Sequence, residues 1–310
     1  MLAVKLIQEQ GIDIEGVTFE TPFFDAEKAK RVAEQIGIPL IVMDITEEYL
    51  EMLKAPRYGY GRNMNPCIDC HTLMLMNAGR KMEELRAGFM FTGEVLGQRP
   101  MSQTKQSLHI VAKNSGYGGY ILRPLSARLL PETIPEKEGK VDRERLLDIQ
   151  GRGRKRQIEM AKRYGIRSYS NPAGGCLLTD PIFSKRLKDL FEFRKDFRIR
   201  DLELLKLGRH FRIDDKTEII VGRNREDNMA IQNLSEEQDI VIRIRDFPGP
   251  TVLVPCGCDE KVLYFAASVC ALYSDAPKDR EVIANCLVGG SNKLIPTMAA
   301  KKDEVKKLII

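Results

Sequence analysis

The sequence predicts two domains in succession, an α/β domain built on a parallel sheet and then an α+β domain whose sheet is mainly antiparallel. Three observations predict this. The chain has 310 residues, 43% of them hydrophobic, which is enough to bury two cores. Its first half alternates stretches of helical spacing with short apolar runs, the pattern of strands covered by helices. Beyond Asp180 the runs alternate in polarity, as strands with one wetted face do.

Met1 to Gln10 has helical spacing and stops at Gly11, and Ile14 to Phe19 reads as a strand leading into a loop at Thr21-Pro22. Asp25 caps a helix that runs to Ile36, and Pro39 to Asp44 is the next short apolar strand. A long helix from about His71 to Arg86 leads to a further parallel strand, Gly88 to Phe91. Residues 126–151 are rich in Pro, Lys, Glu and Arg and read as a surface excursion. Ser184 to Phe193 is helical, and Glu218 to Val221, Ile240 to Ile244 and Thr251 to Val254 follow as antiparallel strands. The boundary is expected between residues 184 and 198, giving domains over 1–183 and 198–310.

Lys and Arg number 49 against 44 Asp and Glu, a net charge of +5, which permits an acidic partner such as nucleic acid without requiring one. No stretch reaches the roughly 20 apolar residues of a membrane span, and Met1-Leu2-Ala3-Val4-Lys5 opens an amphipathic segment instead of a signal peptide. A soluble, cytoplasmic protein with no membrane partner is expected. Seven cysteines, an odd number scattered along a long chain, argue against a small secreted disulfide framework.

Cys67-Ile68-Asp69-Cys70 is a C-x-x-C pair at the start of a helix. Free backbone N–H groups and the helix dipole there favour thiolates, so the pair is expected to titrate below the usual value of about 8.5. It reads as a redox couple, half a zinc site, part of an iron–sulfur site or a structural pair. Cys176 follows two glycines in Asn171-Pro172-Ala173-Gly174-Gly175-Cys176, which let the backbone approach another group closely. Three cysteines can then converge, with His71 available as a fourth zinc ligand. A three-thiolate 4Fe–4S cluster would leave one iron free to hold sulfide. Cys256 and Cys258, separated by one glycine, are too close for an ordinary C-x-x-C site and read as structural; His109 and His210 are expected to hydrogen-bond locally.

Thr92-Gly93-Glu94-Val95-Leu96-Gly97-Gln98-Arg99-Pro100-Met101-Ser102-Gln103-Thr104 lies at the C-terminal end of the strand ending at Phe91. Open α/β sheets bind ligands at that edge, and a polar, glycine-bounded loop there offers N–H and amide groups to a nucleotide. The run Arg152-Gly153-Arg154-Lys155-Arg156 is either a solvated helix face or a site for RNA phosphates.

TGEVLGQRPMSQT followed by Arg123-Pro124-Leu125 resembles the TGE-x-LGQ-x-x-SQT…RPL stretch of the tRNA 4-thiouridine synthase family, and NPCIDC resembles the NPC-x-x-C of tRNA 2-thiouridylases. Both families are PP-loop ATP pyrophosphatases, with an adenine nucleotide alpha hydrolase-like fold. They adenylate a uridine carbonyl oxygen and replace it with sulfur. The resemblance covers residues 1 to about 180. It implies that Gly93 and Gln103 touch the adenylate and that Cys176 carries sulfur or a cluster with Cys67 and Cys70 as partners; Gln98, from the polar loop itself, is the further nucleotide-site candidate. It also implies ATP with magnesium, tRNA, and a sulfur donor such as a cysteine desulfurase or sulfide; the basic tract would face tRNA. One departure is that the family's SGG-x-DS phosphate turn occurs nowhere in the sequence, and Met1 falls where the helix after it would begin. Met1 is therefore expected to be internal to a longer gene product, a truncated variant being the alternative. Weak or absent ATP turnover is predicted for these 310 residues.

Leu207-Gly208-Arg209-His210-Phe211-Arg212, Val221-Gly222-Arg223-Asn224 and Arg245-Asp246-Phe247-Pro248-Gly249-Pro250 resemble the RNA-binding domain of the NFACT family. Arg209, Arg223 and Arg245, with Arg152, Arg154, Lys155 and Arg156, are the RNA-binding candidates, positioned for phosphate contacts that hold RNA without reading sequence. The function expected is tRNA uridine thiolation, probed against a non-catalytic RNA-binding protein with a structural metal or cluster. No glycine-rich adenosylmethionine loop follows a first strand, which argues against a methyltransferase.

Overall fold

The computed structural model describes residues 1–169 and 175–310, and the chain divides into two compact units, Met1–Thr179 and Asp180–Ile310. In the first, α1 (Leu2–Gln8) buries Ala3, Leu6 and Ile7. Strand β1 (Gly16–Glu20), helix α2 (Glu27–Ile36) and strand β2 (Leu40–Asp44) form one parallel βαβ step, with Val17 opposite Ile41 and Phe19 opposite Met43. Asp25 accepts from the Glu27 N–H at 3.0 Å, and Gly37 at φ 70° ends α2 in the left-handed conformation that only glycine adopts freely.

The short α3 (Thr46–Lys54) precedes α4 (Cys67–Glu84), the longest helix of the unit. The latter starts four residues before the expected His71, because the Cys70 N–H closes a first turn onto Pro66 O at 2.8 Å, so the C-x-x-C lies inside the helix. Gly79 faces Tyr117, where a Cβ would come within 2.1 Å of the ring. Strand β3 (Met90–Phe91) leads through the 92–104 loop into α5 (Lys105–Asn114), and β4 (Ile121–Leu122) pairs with β3 in parallel. The excursion holds α6 (Ile134–Lys137), and α7 (Lys155–Arg163) follows it. The parallel strands form two separate pairs instead of one sheet, and a cavity of about 1080 Å³ is lined by residues of both, among them Gly16, Val17, Met90 and Phe91.

The second unit opens on α8 (Pro181–Phe193), capped by Asp180 and started by proline, and α9 (Ile199–Leu204). Strands β5 (Arg209–Arg212) and β6 (Glu218–Val221), helix α10 (Arg225–Leu234), β7 (Ile240–Ile244), β8 (Val252–Val254), α11 (Glu260–Tyr273), β9 (Val282–Val288), β10 (Ser291–Thr297) and α12 (Lys302–Lys306) complete it. The six strands pair antiparallel throughout in the order β10-β9-β7-β8-β6-β5. One face packs on α11 through Ala266, Val269 and Cys270. His210, fully buried, bonds through Nε2 to Leu204 O and Leu207 O at 3.1 and 3.0 Å, a local role as expected. Cys256 is exposed with its sulfur 2.6 Å from Arg194 Nη2, while Cys258 packs against the core.

Candidate functional site

The first turn of α4 presents Cys67 and Cys70. Cys176 arrives from the end of the first unit: Gly175 holds φ +100°, where a Cβ would also meet Lys28 Nζ at 3.1 Å. The Leu177 N–H then donates to Phe23 O at 3.0 Å, and the Thr179 hydroxyl donates to Cys176 O at 2.7 Å. Asn171–Gly174 of the glycine motif lie outside the described residues. All three cysteines are free, and they line one cavity of about 560 Å³ with Phe24, Tyr49, Met74 and Met101.

Burial pushes the Cys70 thiol up to about 12, despite the Tyr49 hydroxyl beside it, and burial likewise pushes Cys176 up to about 11 against a Leu178 N–H that favours the thiolate. The low values expected from the helix N-terminus are therefore corrected for Cys70. A helix end contributes about 0.3–1 kcal/mol, less than one pKa unit, whereas burial in an apolar cavity moves a group by up to about 3–5 units. Cys67 accepts a hydrogen bond from Asn65 Nδ2 at 3.2 Å.

A cluster or zinc needs thiolates converging on a point. Among the described residues no three His, Cys, Asp or Glu side chains are placed to hold a metal ion. His71, the fourth ligand considered, has its Nδ1 engaged by a carboxylate and its Nε2 left open. The residues present do not fit the expected 4Fe–4S cluster, and no step below passes through one.

That carboxylate is Glu94, 7% exposed at the end of β3. His71 Nδ1 is 3.1 Å from Glu94 Oε1, while Arg123 Nε and the Thr92 hydroxyl donate to Oε2 at 2.9 and 3.1 Å. Burial opposes the Glu94 charge, but the His71 hydrogen bond and the Arg123 charge outweigh it and hold the carboxyl at about 2. A fixed carboxylate orients the imidazole with Nδ1 protonated and leaves Nε2 for chemistry.

A second cavity, about 500 Å³, is lined by Gly93, Gln98, Arg99, Gln103, Arg154 and His71 among others. Thr104 caps α5 by accepting from the Ser107 N–H at 3.0 Å, and the Gly97 N–H donates to Gln103 O at 2.6 Å, which closes the loop. Gln98 Nε2 donates to Gln157 Oε1 at 3.0 Å. A Cβ at Gly93 would meet nothing within 4 Å. Gln103, 5% exposed, leaves Oε1 without a hydrogen bond, and Arg99 leaves Nε so. Buried polar atoms are ordinarily paired, so these two are groups that a polar ligand would complete. His71 and Arg99 line both cavities.

The basic candidates divide. Arg152, Lys155 and Arg156 are exposed, Arg156 pairing with Asp148 at 2.8 Å, while Arg154 lies 5.8 Å from the Tyr169 ring. In the second unit Arg209 stacks at 5.0 Å over Tyr273 and Arg245 is exposed 3.7 Å from Asp246. Arg223 is a strut: its Nε bonds the buried Asp227 at 2.7 Å, and Asp227 also accepts from the Gly208 N–H at 3.2 Å.

Residues 2–135 match the family model described as the tRNA methyl transferase HUP domain, and residues 208–309 match the NFACT protein RNA binding domain. Curated relatives include the tRNA-specific 2-thiouridylases MnmA of Clostridium acetobutylicum, 33% identical over 30% of this chain and 31% of that protein, and of Deinococcus radiodurans, 27% identical over 35% and 33%. That of Geobacter metallireducens is 38% identical over 26% and 23%. The first unit is similar to tRNA-modifying enzymes. The chain spans about a third of the length of the first two of these relatives. The solved C-terminal part of the fibronectin/fibrinogen-binding protein from Streptococcus suis aligns over 91% of this chain and all of its own at 13% identity, with a TM-score of 0.31. The HUP-type unit thus contains both cavities, and the relatives named above are 2-thiouridylases, so the narrower likeness to 4-thiouridine synthase is not carried by them.

Three side chains around the site were not singled out from the sequence. Glu94 and Arg123 stand in recognised stretches, TGE and RPL, but their pairing around His71 is visible only in three dimensions. Tyr49 belongs to no motif, and its only sequence signal is an aromatic on the inner face of a short amphipathic helix.

Proposed function

We propose that this chain acts in tRNA uridine thiolation, the HUP-type unit carrying sulfur and the NFACT-type unit holding RNA. The observation that supports this most is the convergence of Cys67, Cys70 and Cys176 on one cavity that shares His71 and Arg99 with a cavity of unsatisfied polar groups. ATP adenylates the uridine carbonyl oxygen, giving a C–O–AMP linkage and releasing pyrophosphate; Gly93, Gln98 and Gln103 line the space assigned to the adenylate. A persulfide donor such as a cysteine desulfurase transfers its outer sulfur to Cys176. His71 Nε2 accepts a proton, and the terminal persulfide sulfur attacks the activated ring carbon: the C–S bond forms, the C–O bond breaks, and AMP leaves with the electron pair. A C-x-x-C thiolate then attacks the Cys176 sulfur, the bond to the transferred sulfur breaks, and thiouridine and a protein disulfide result. An external dithiol supplies two electrons to reset the pair.

This relay needs no cluster. A purely RNA-binding protein gives no role to three converging thiols or to the orphaned Gln103 oxygen. The test is thiouridine formation in pre-adenylated tRNA with a persulfide donor, which bypasses the ATP step, read by nucleoside mass spectrometry at both C2 and C4. Cys176→Ala is expected to fall by at least about 100-fold, the scale of losing a nucleophile, with tRNA affinity kept. Full product from Cys176→Ala, or tRNA binding without product from the wild type, sinks the reading.

A further inference from the structure

Tyr49 stands at the cavity wall on α3, a helix that carries none of the motifs. It is 1% exposed, and its hydroxyl has no hydrogen-bond partner among the described residues. The ring is clamped by Phe23, 5.6 Å away at 40°, and by Phe24, 5.5 Å away and edge-on. It cannot swing its hydroxyl out to water. The hydroxyl lies among the three thiols and beside Cys70, without completing a hydrogen bond of normal geometry to it.

A buried hydroxyl left unpaired lowers stability, and phenylalanine would fill the same space without that cost. An apolar wall is already present in Phe24, Met74 and Met101, so packing does not account for the oxygen. A ligand that accepts a hydrogen bond does. The ligand must sit beside the cysteines, be small enough to share their cavity, and tolerate apolar walls. The outer sulfur of a persulfide meets all three conditions: it is anionic more readily than a thiol, polarizable, and covalently tied to a cysteine.

We propose that the Tyr49 hydroxyl donates a hydrogen bond to the terminal sulfur of a cysteine persulfide held in this cavity. Tyr49 is then the group that anchors the transferable sulfur and shields it from stray nucleophiles, a role that rests on the sulfur-transfer reading above. Loading follows GSSH + Cys–SH → GSH + Cys–S–SH, with glutathione persulfide as donor. Cyanide removes the sulfur as thiocyanate and returns the thiol.

The experiment uses the reduced full chain, wild type and Tyr49→Phe, loaded with glutathione persulfide, with Cys67→Ala, Cys70→Ala and Cys176→Ala to locate the sulfur. Thiocyanate release under cyanide is timed, and thermal midpoints are taken before and after loading. Unloaded Tyr49→Phe is expected to melt at or above the wild-type temperature. Loaded, it should release thiocyanate about tenfold faster, the scale of one hydrogen bond to a charged group, and lose the midpoint gain that loading gives the wild type. Equal release rates, or an unloaded variant that melts well below wild type, overturn the assignment of Tyr49 alone. A wild type that takes up no sulfane sulfur on any of the three cysteines overturns both this assignment and the sulfur-transfer reading.

Discussion

At the scale of single residues the site is decided by desolvation. Cys70 and Cys176 sit where burial outweighs the helix end and the nearby N–H, so they need a base, and His71 is the imidazole that shares their cavity. Its orientation depends on Glu94, whose carboxyl is held at about 2. A carboxyl depressed in the folded state adds stability that is fully present above its unfolded value, about 4.3, and is lost as the pH falls through the folded value. Glu94→Gln should therefore cost about 3 kcal/mol at neutral pH. Denaturant titrations from pH 7 to pH 2 should show this gap closing below about pH 4; a gap independent of pH would mean that the Glu94 charge is not what holds Arg123 and His71. The C-x-x-C and the isolated Cys176 were legible in the sequence because spacing advertises them. The upward titration of Cys70 and Cys176 was not, since it depends on Tyr49, Phe24 and Met74 closing over them from elements distant in sequence.

At the scale of elements, turns and caps do the positioning. Gly175 at φ +100° delivers Cys176 to the cavity, and Gly175→Ala is expected to cost about 1–2 kcal/mol and to slow thiocyanate release or thiolation more than that loss explains. Chemical denaturation alongside a single-turnover assay separates the two; an alanine variant with unchanged chemistry would show that the conformation is incidental. Thr104 caps α5 and holds the end of the 92–104 loop. Thr104→Ala should cost about 1 kcal/mol and weaken adenylate binding, measured by calorimetry. Strands β1, β2, β6, β7 and β8 fell close to their expected runs because apolar periodicity and glycine or aspartate stops mark them. The helix Thr46–Lys54 has a readable start in Glu47 and Glu48, yet nothing local says that its Tyr49 meets the thiols. The separation of β1–β2 from β3–β4 was equally illegible, because strand pairing is a long-range property that a run of apolar residues does not encode.

At the scale of the whole molecule, the net charge of +5 is too small to make RNA binding a matter of bulk charge, so individual arginines should carry it. Arg245 is exposed and Arg209 stacks on Tyr273 without a carboxylate partner among the described residues, whereas Arg223, although exposed, is committed to the buried Asp227. The double change Arg209→Ala with Arg245→Ala should lower the slope of log affinity for tRNA against log salt by about 1.4–1.8 while leaving persulfide loading intact. Arg223→Ala should lower stability instead. Loss of loading in the double variant would mean that the arginines serve the fold. The two family matches fall in separate units, so each activity is expected to survive damage to the other's residues.

The central claim is that sulfur passes through Cys176 and out of the protein as one C-x-x-C cysteine closes a disulfide with it. The measurement that tests this most directly is peptide mapping by mass spectrometry after a single turnover with persulfide-loaded protein and pre-adenylated tRNA substrate. The account predicts one disulfide from Cys176 to Cys67 or Cys70 for each thiouridine formed. Thiouridine appearing while all three cysteines stay as thiols, or undiminished in the Cys67→Ala Cys70→Ala Cys176→Ala protein, would contradict it.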